Sequence, residues 1–546
     1  MEHSTDTASR LEWELKRLLV FFAIGLGYIV VLRTSGFIEP DKNSLHIYYR
    51  VIAIAEPWIV TLMFFFFAFF WWSFRRETRN VANTIGSEQH IERNVSWFSV
   101  GMAALGIALA TWFARGLITE GTLFSMDEYG AALQSEMLAK RELTSTFPAQ
   151  WKQWRNAVTP VFVQRGNDGS SWVLMYLPGY SFLSVLFNRF GADGWLNPSL
   201  TGLGMVAIAG LSRQEWRGQA ERQWVAILVY SGSTQVLATS LTGYVMPAHL
   251  TMNLFWLWAL RSKSRVRYLT APLGFFACVL HQPVPHPLFA LPFLTRKLRE
   301  QDWRLLMACA TAYACAFTSL LYWSHLGGVV RGALSLPTLG HLFVLVANVV
   351  LLAAWNTPIA AVLLSMAIKG RRRLESFEGD LFAGILLSLG FYLFFSMVNQ
   401  GHGWGWRYGH QVLGNLALIS AALWPCFTAQ VGSIAARRAL KSSLLFTVLV
   451  QVPYRAWEVQ HFTRPFTLAH NWLSRVDADV VIVPSDSVWY GRDLIRNSPG
   501  LSNRPILVDG AVAAEIGIQH LPVDSKAKVM RVSVEELRSL GLEAIK

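Results

Sequence analysis

"WFSVGMAALGIALATWFARGLITEGTLFSMDEYGAALQSEML" (residues 97–138) decides how the chain is read. Its first part, 97–116, holds one charged residue, Arg115. At ~1.5 Å per residue such a helix spans about 30 Å, the thickness of a bilayer's hydrocarbon core. Two adjacent acids, Asp127 and Glu128, follow almost at once. Beyond them Tyr129, Leu133 and Met137 recur at four-residue spacing, which predicts an amphipathic helix over 127–140. The stretch therefore reads as a membrane span that hands the chain to a polar helix at the surface.

The same kind of apolar run recurs along most of the 546 residues, of which 53% are hydrophobic and only 15% charged. Spans are predicted at 18–33, 54–73, 97–116, 197–212, 222–237, 246–261, 267–281, 286–296, 304–322, 341–368, 379–398, 411–430 and 442–456. Twenty-three Trp and thirty-four Phe suit a chain with many headgroup-level anchors. The run at 18–33 has no small-residue cleavage site and is read as a retained helix. The fold class is thus an α-helical polytopic membrane protein of about thirteen transmembrane helices. The net charge of +13 does not mark a nucleic-acid partner, because the basic residues punctuate the apolar runs. Cys278, Cys309, Cys315 and Cys426 all fall in apolar segments and read as small buried hydrophobes, with no disulfide framework or zinc spacing.

Every second short loop is basic. The groups are Arg75, Arg76, Arg79 and Arg93; Arg213, Arg217 and Arg222; Arg261, Lys263, Arg265 and Arg267; Arg296, Lys297, Arg299 and Arg304; Lys369, Arg371, Arg372 and Arg373; and Arg437, Arg438 and Lys441. The positive-inside rule puts these loops and the N-terminus in the cytoplasm, and the C-terminus outside. That alternation requires 173–190 to be an interfacial helix starting after Pro178–Gly179 rather than a span, and requires the short run 286–296 to cross. It leaves a long outer loop, 117–196, in which Trp151 and Trp154 share a face suited to the membrane interface. The tail changes composition. "ADVVIVP" and "RPILVDG" read as short strands, and "SVEELRSLG" as a helix capped by Ser533. Three regions follow: 1–96, an N-terminal extension with two transmembrane helices; 97–457, the main transmembrane domain; and 458–546, a small extracytoplasmic α/β module. No internal repeat of fixed period is present.

The polar constellations map to the outer side: "MDEYG" after the third span, "MPAHL" (246–250), "HQPVPHP" (281–287), "SHLGG" (324–328) and "NQGHGWGWRYGHQ" (399–411). They bring Asp127, Glu128, His249, His281, His286, His325, His402, Arg407 and His410 to one face of the membrane, so a single site is geometrically allowed. Ser125 and Glu128 also fit a capping box, and acids in a first helical turn suit the helix dipole. Structural and chemical readings of the pair both stand on spacing alone. The histidines lack H-x-x-x-H or HExxH spacing, so no built metal site is indicated and no cofactor is assigned, although the composition admits a divalent metal. Arg407 offers a guanidinium fork for phosphate, or a snorkelling contact to lipid headgroups. A P-loop, a GxGxxG fingerprint and a nucleophile elbow are all absent.

In order along the chain, "DEYGAALQSEMLAKREL", "YLPGYSFLSVLFNRFGADGWLNPSLTGLGMVAIAGL", "MPAHLTMNLFWLWAL" and "RYGHQVLGNLALISAALW" resemble the GT-C superfamily of polytopic membrane glycosyltransferases. The likeness covers roughly 97–430 and is strongest to the bacterial protein-mannosyltransferase-like and aminoarabinose-transferase-like branch. It implies transfer of a sugar, with inversion, from a polyprenyl-phosphate donor to a lipid, glycan or protein acceptor outside the cytoplasm. The implied location is the bacterial inner membrane, facing the periplasm and cell envelope. By that resemblance Asp127 matches the catalytic acid and Glu128 its neighbour. Arg407, together with His402, His410, His249, His281 and His286, is expected near the donor phosphate and substrate. Two features depart from the pattern. The spans at 18–73 precede the usual start, and Leu177-Pro178-Gly179 stands where some members have a Lys before the prolines. A transporter or flippase of lipid-linked glycans is the competing reading; the interruption of the tenth span at Asn356-Thr357-Pro358 is its one point of support. A structural partner that keeps the fold without catalysis is a third.

Overall fold

The computed structural model describes residues 2–34, 55–78, 93–328, 334–370, 376–395 and 403–545. The apolar runs are helices. The run that opened the sequence reading forms Trp97–Ile118, with Ser96 as its N-cap accepting from the Phe98 and Ser99 N–H groups. Among the described residues, four helices are long and apolar enough to cross a membrane by themselves: 56–73, 97–118, 303–326 and 407–431. Two shorter apolar helices cover 339–354 and 358–368. The other expected spans are shorter, broken or more polar. Helices packed inside a bundle face other helices instead of lipid, so they need not be uniformly apolar. Leu196–Glu215 is such a helix: most of its residues are buried. It lies against Trp97–Ile118 at a distance only glycine permits, since a Cβ on Gly202 would sit 2.6 Å from the Ala104 carbonyl oxygen.

Three predicted spans differ in outline from the observed helices. The run 222–237 divides at Gly232 into Ala220–Ser231 and Thr234–Ser240, with Ser233 capping the second piece. The run 341–368 divides into Leu339–Ala354 and Pro358–Gly370. Pro358 has no N–H to give, and the freed carbonyls ahead of it are met by side chains. Asn356 donates to the Leu352 carbonyl, Gln451 to those of Ala354 and Asn356, and Thr234 to that of Trp355. The run 442–456 is the middle of a helical rod from Ser433 to Leu473, with one π turn at Thr447–Gln451. At 1.5 Å per residue the rod is about 60 Å long. It passes unbroken through the boundary expected at 457–458, and Val459 beyond it is still part of the bundle's core.

The first two helices, Glu2–Thr34 and Glu56–Thr78, share one hydrophobic core with the rest of the bundle. A buried charge cluster locks the second of them to the rod. Arg455 bonds both Glu56 oxygens at 2.8 Å and Glu458 at 2.6 Å, and its guanidinium lies 3.8 Å from the Trp355 ring centre. Trp355 Nε1 also donates to Glu56.

The long loop 117–196 holds the helix Met126–Ala139, a three-stranded antiparallel sheet with Ser171–Leu174 at its centre, and the helix Gly179–Arg189. The last of these starts just after Pro178, as predicted. In the tail, Val480–Val483 pairs in parallel with Ile506–Asp509 on one side and Val529–Arg531 on the other. Trp151 and Trp154 correct the sequence reading. They do not sit at a membrane interface but are buried with Trp172, Val480 and Val508, joining the outer loop to the tail sheet. Cys278 and Cys309 are buried, whereas Cys315 and Cys426 are exposed, so two of the four depart from the buried reading because they fall on outward faces of their helices. The predicted basic residues at 79 and 371–373 lie outside the described residues.

Removing one partner of a buried ion pair strands the other and destabilises by about 3–5 kcal/mol. Arg455→Met, which leaves Glu56 and Glu458 without their cation, is expected to lower the thermal midpoint of the detergent-solubilised protein clearly more than Glu458→Gln does. Equal midpoints for the two variants in a thermal-shift assay would show that the cluster does not hold the extension to the rod.

Candidate functional site

Ser125 begins the acidic helix. Its hydroxyl faces the Glu128 N–H, and the Glu128 carboxylate reaches back to the N–H groups of Phe124 and Ser125, both at 2.8 Å. The capping box is therefore formed, but it uses only one oxygen of Glu128. The other accepts from the Gly243 N–H at 2.6 Å, 115 residues away. Glu128 is only 1% exposed. Burial raises its pKa, and the N–H groups and the nearby Arg496 offset that only in part. Its acceptor capacity goes to backbone, so its place is that of a staple between two loops.

Asp127 points elsewhere. One carboxylate oxygen accepts from the Tyr176 hydroxyl at 2.8 Å, and the other is bonded by the guanidinium of Arg407, 280 residues along the chain. Both side chains are about nine-tenths buried. Burial alone would raise the Asp127 pKa, but the positive Arg407 and the two hydrogen bonds outweigh it, so the carboxyl titrates below its ordinary value.

The surroundings of Arg407 explain how it is held there. It opens a 3₁₀ turn, Arg407–Val412, directly after Trp406. The Gln235 side chain clamps the Trp406 peptide from both sides, donating to its carbonyl at 2.7 Å and accepting from its N–H at 3.1 Å. Gln235 can do so because the helix break at Gly232–Ser233 exposes it at a new helix start. The Arg407 guanidinium lies 4.5 Å from the Tyr244 ring centre. Tyr244 is fixed in turn, since Asn197 donates to the Thr242 and Tyr244 carbonyls at 2.7 Å each, beside the Glu128 bond to Gly243. Tyr176 is fixed by Gln134, which donates to its carbonyl at 3.2 Å. Gln134, Tyr176, Tyr180, Ser181 and His281 lie together beside the pair, packed closely enough that no water-sized cavity remains between them.

The predicted histidines divide into groups. His281 stacks on Tyr176, with ring centres 3.7 Å apart, and burial pulls its pKa down to about 4, so it is neutral at physiological pH. His249 and His410 are buried with neither ring nitrogen bonded to a protein group, and His249 is within charge–charge reach of His281, His286 and His410. His286 is different: both its nitrogens are taken, by Asn253 at 2.8 Å and Tyr313 at 3.0 Å, which makes it part of the bundle's interior. His402 lies outside the described residues. His325 contributes only its backbone carbonyl, to Asn167. Among the described residues no cluster of three or more His, Cys, Asp or Glu is arranged to hold a metal ion. Tyr176, Tyr244, Gln235 and Asn197 escaped the sequence reading. Each is a single polar residue in an apolar setting, and no spacing rule ties it to Asp127.

No protein-family model matches the chain, and no curated protein matches it. Its structural neighbours include ArnT from Cupriavidus metallidurans, in two states. In the apo state ArnT is 11% identical with a TM-score of 0.49, and the match covers 74% of this chain and 85% of that one. ArnT bound to undecaprenyl phosphate is 12% identical with a TM-score of 0.49, covering 78% and 90%.

Proposed function

We propose that the chain is a membrane glycosyltransferase that moves a sugar from a polyprenyl-phosphate-linked donor to a lipid, glycan or protein acceptor on the outer side of the bacterial inner membrane. The carrying observation is the buried meeting of Asp127 and Arg407, 280 residues apart in the chain, with Tyr176 on the other Asp127 oxygen. Such a transfer needs a base for the acceptor and a cation for the departing phosphate, and these are the two groups in contact. The lipid bound to ArnT belongs to that protein; the case here rests on this chain's own residues and on the sequence resemblance.

The acceptor's oxygen or nitrogen attacks the anomeric carbon from the face opposite the phosphate, which inverts that centre. The carbon–oxygen bond to phosphate breaks, and its electron pair leaves with polyprenyl phosphate. The acceptor's proton passes to Asp127. A phosphate within reach of Arg407 competes with Asp127 for the guanidinium. As the cation turns toward the donor, the carboxylate loses its main counter-charge and becomes a stronger base. Donor binding thus prepares the base, and Arg407 then stabilises the leaving group. His249 and His410 retain ring nitrogens for substrate; His286 does not. Glu128 acts by holding the Tyr244 loop, without contact to substrate.

The transporter reading draws on the broken span at 355–357. The carbonyls of that break are already bonded by Gln451, Thr234 and Asn356, which favours a structural break over a cargo site.

Loss of general-base help typically costs about 10²–10⁴-fold in rate. Asp127→Asn is expected to lose that much transfer from a polyprenyl-phosphate sugar, measured by mass spectrometry of the product, while still inserting in the membrane. Full transfer by that variant would remove Asp127 as the base. Movement of labelled lipid across vesicles with no new glycosidic bond would instead make the chain a flippase.

Arg407→Gln tests the electrostatics. Asp127 must be ionised to accept a proton, and Arg407 is the largest influence lowering its pKa against burial. Without Arg407 that pKa rises, so the acid limb of the kcat/KM profile should move to higher pH. The loss should be greater in mildly acidic than in mildly alkaline buffer. An acid limb that stays in place would mean that some other group titrates there.

A further inference from the structure

The turn that carries Asp127 is gripped from outside the membrane bundle. Phe124 directly precedes the N-cap Ser125, and its N–H is taken by Glu128. The carbonyls of Leu123 and Phe124 precede the helix and need partners from elsewhere. Both come from one residue of the tail: Arg496 donates to Leu123 at 2.6 Å and to Phe124 at 2.9 Å. Its Nε donates to Asp493 at 2.9 Å, so the whole fork is used. Arg496 is 6% exposed, and its guanidinium lies 5.6 Å from the ring centre of Tyr129, one residue past Glu128. The Phe124 ring packs edge-on against Phe462 and Phe466 of the rod, at 5.3 and 5.2 Å.

Arg496 is itself anchored to the tail sheet. Its neighbour Asn497 donates to the Leu507 carbonyl at 2.7 Å and accepts from the Leu507 N–H at 2.9 Å, locking onto the strand Ile506–Asp509. The same Asn497 donates to Val158 of the outer loop at 2.8 Å. Hydrogen bonds therefore tie the tail sheet, through Asn497 and the adjacent Arg496, to the backbone of Leu123 and Phe124, and Asp127 stands three residues beyond Phe124 on the same capped turn.

We propose that Arg496 is a positioning residue: the C-terminal sheet unit completes the site by fixing, through the Leu123 and Phe124 carbonyls, where Asp127 stands relative to Arg407 and the acceptor. This rests on the glycosyl-transfer reading. A buried cation spent on two backbone carbonyls, next to a buried Glu128, is more than is needed to dock the tail. Docking is already served by Trp154 bonded to the His520 carbonyl and by Arg492 bonded to the Asn156 carbonyl.

The test compares Arg496→Met and Arg496→Lys with the docking control Arg492→Ala, each in the full-length protein in detergent or nanodiscs. Misplacement by about 1 Å can cost roughly 10²-fold, so kcat should fall about 10–100-fold in Arg496→Met while the donor KM stays within about twofold. Arg496→Lys, which keeps the charge but cannot fork across both carbonyls, should recover only part of that loss. Arg492→Ala should keep wild-type kcat. Hydrogen–deuterium exchange should quicken at residues 124–130 in both Arg496 variants and stay unchanged in the membrane helices. Wild-type kcat in Arg496→Met, or an equal fall in Arg492→Ala, would overturn the proposal. If Arg496→Met fails to insert, Arg496→Lys and its exchange pattern decide. If the wild-type protein transfers no sugar, the functional reading fails. The exchange measurement then still decides whether Arg496 orders the acidic turn, and unchanged exchange there would overturn that role too.

Discussion

The structure turns on one buried ion pair, Asp127 with Arg407, whose members are 280 residues apart. Taking both charges out of water is expensive, and their attraction repays that expense only when geometry is fixed and remaining polar atoms are met. The residues around the pair meet that condition. Tyr176 satisfies the second oxygen of Asp127, Tyr244 underlies Arg407, and Gln134, Gln235, Asn197 and Glu128 each hold the backbone beneath one of these groups. None of the four is itself bonded to the pair. They keep two loops and a helix start from drifting apart, so that the pair does not have to.

Helix breaks serve the same end. A continuous helix at 220–240 would not present Thr234 and Gln235 at a helix start. With the break, Thr234 reaches the interrupted span at Trp355 while Gln235 reaches Trp406. Two irregular stretches of backbone inside the bundle thus satisfy each other through one short turn. This is how non-helical backbone survives at membrane depth without water.

Much of this was legible in the sequence, for stated reasons. The apolar runs announced helices because bilayer thickness fixes their length. The Ser125–Glu128 box was visible because capping is a local rule. Asp127 and Arg407 could be nominated because basic loops alternate and so assign both to one side of the membrane. Their direct bond could not be read, since no local pattern encodes a contact across 280 positions. Within the acidic pair the geometry divides by residue: Glu128 takes the backbone bonds of the cap and of Gly243, and Asp127 faces Arg407 and Tyr176. Trp151 and Trp154 misled because two tryptophans on one face look alike whether they meet lipid headgroups or a protein sheet. The break at Gly232 was read as continuous span because hydropathy averages over the few residues where a helix stops, whereas the interruption at Asn356-Thr357-Pro358 was visible from its proline.

The rod from Ser433 to Leu473 starts beside basic residues at one end of the bundle and finishes under the tail sheet. It carries Phe462 and Phe466 against Phe124 on the way. Membrane helices answer a change in hydrocarbon thickness by tilting. Because Phe462 and Phe466 ride on a helix continuous with its far end at Ser433, a tilt of this rod would carry the aromatic contacts behind Phe124, and with them the acidic turn, along with it.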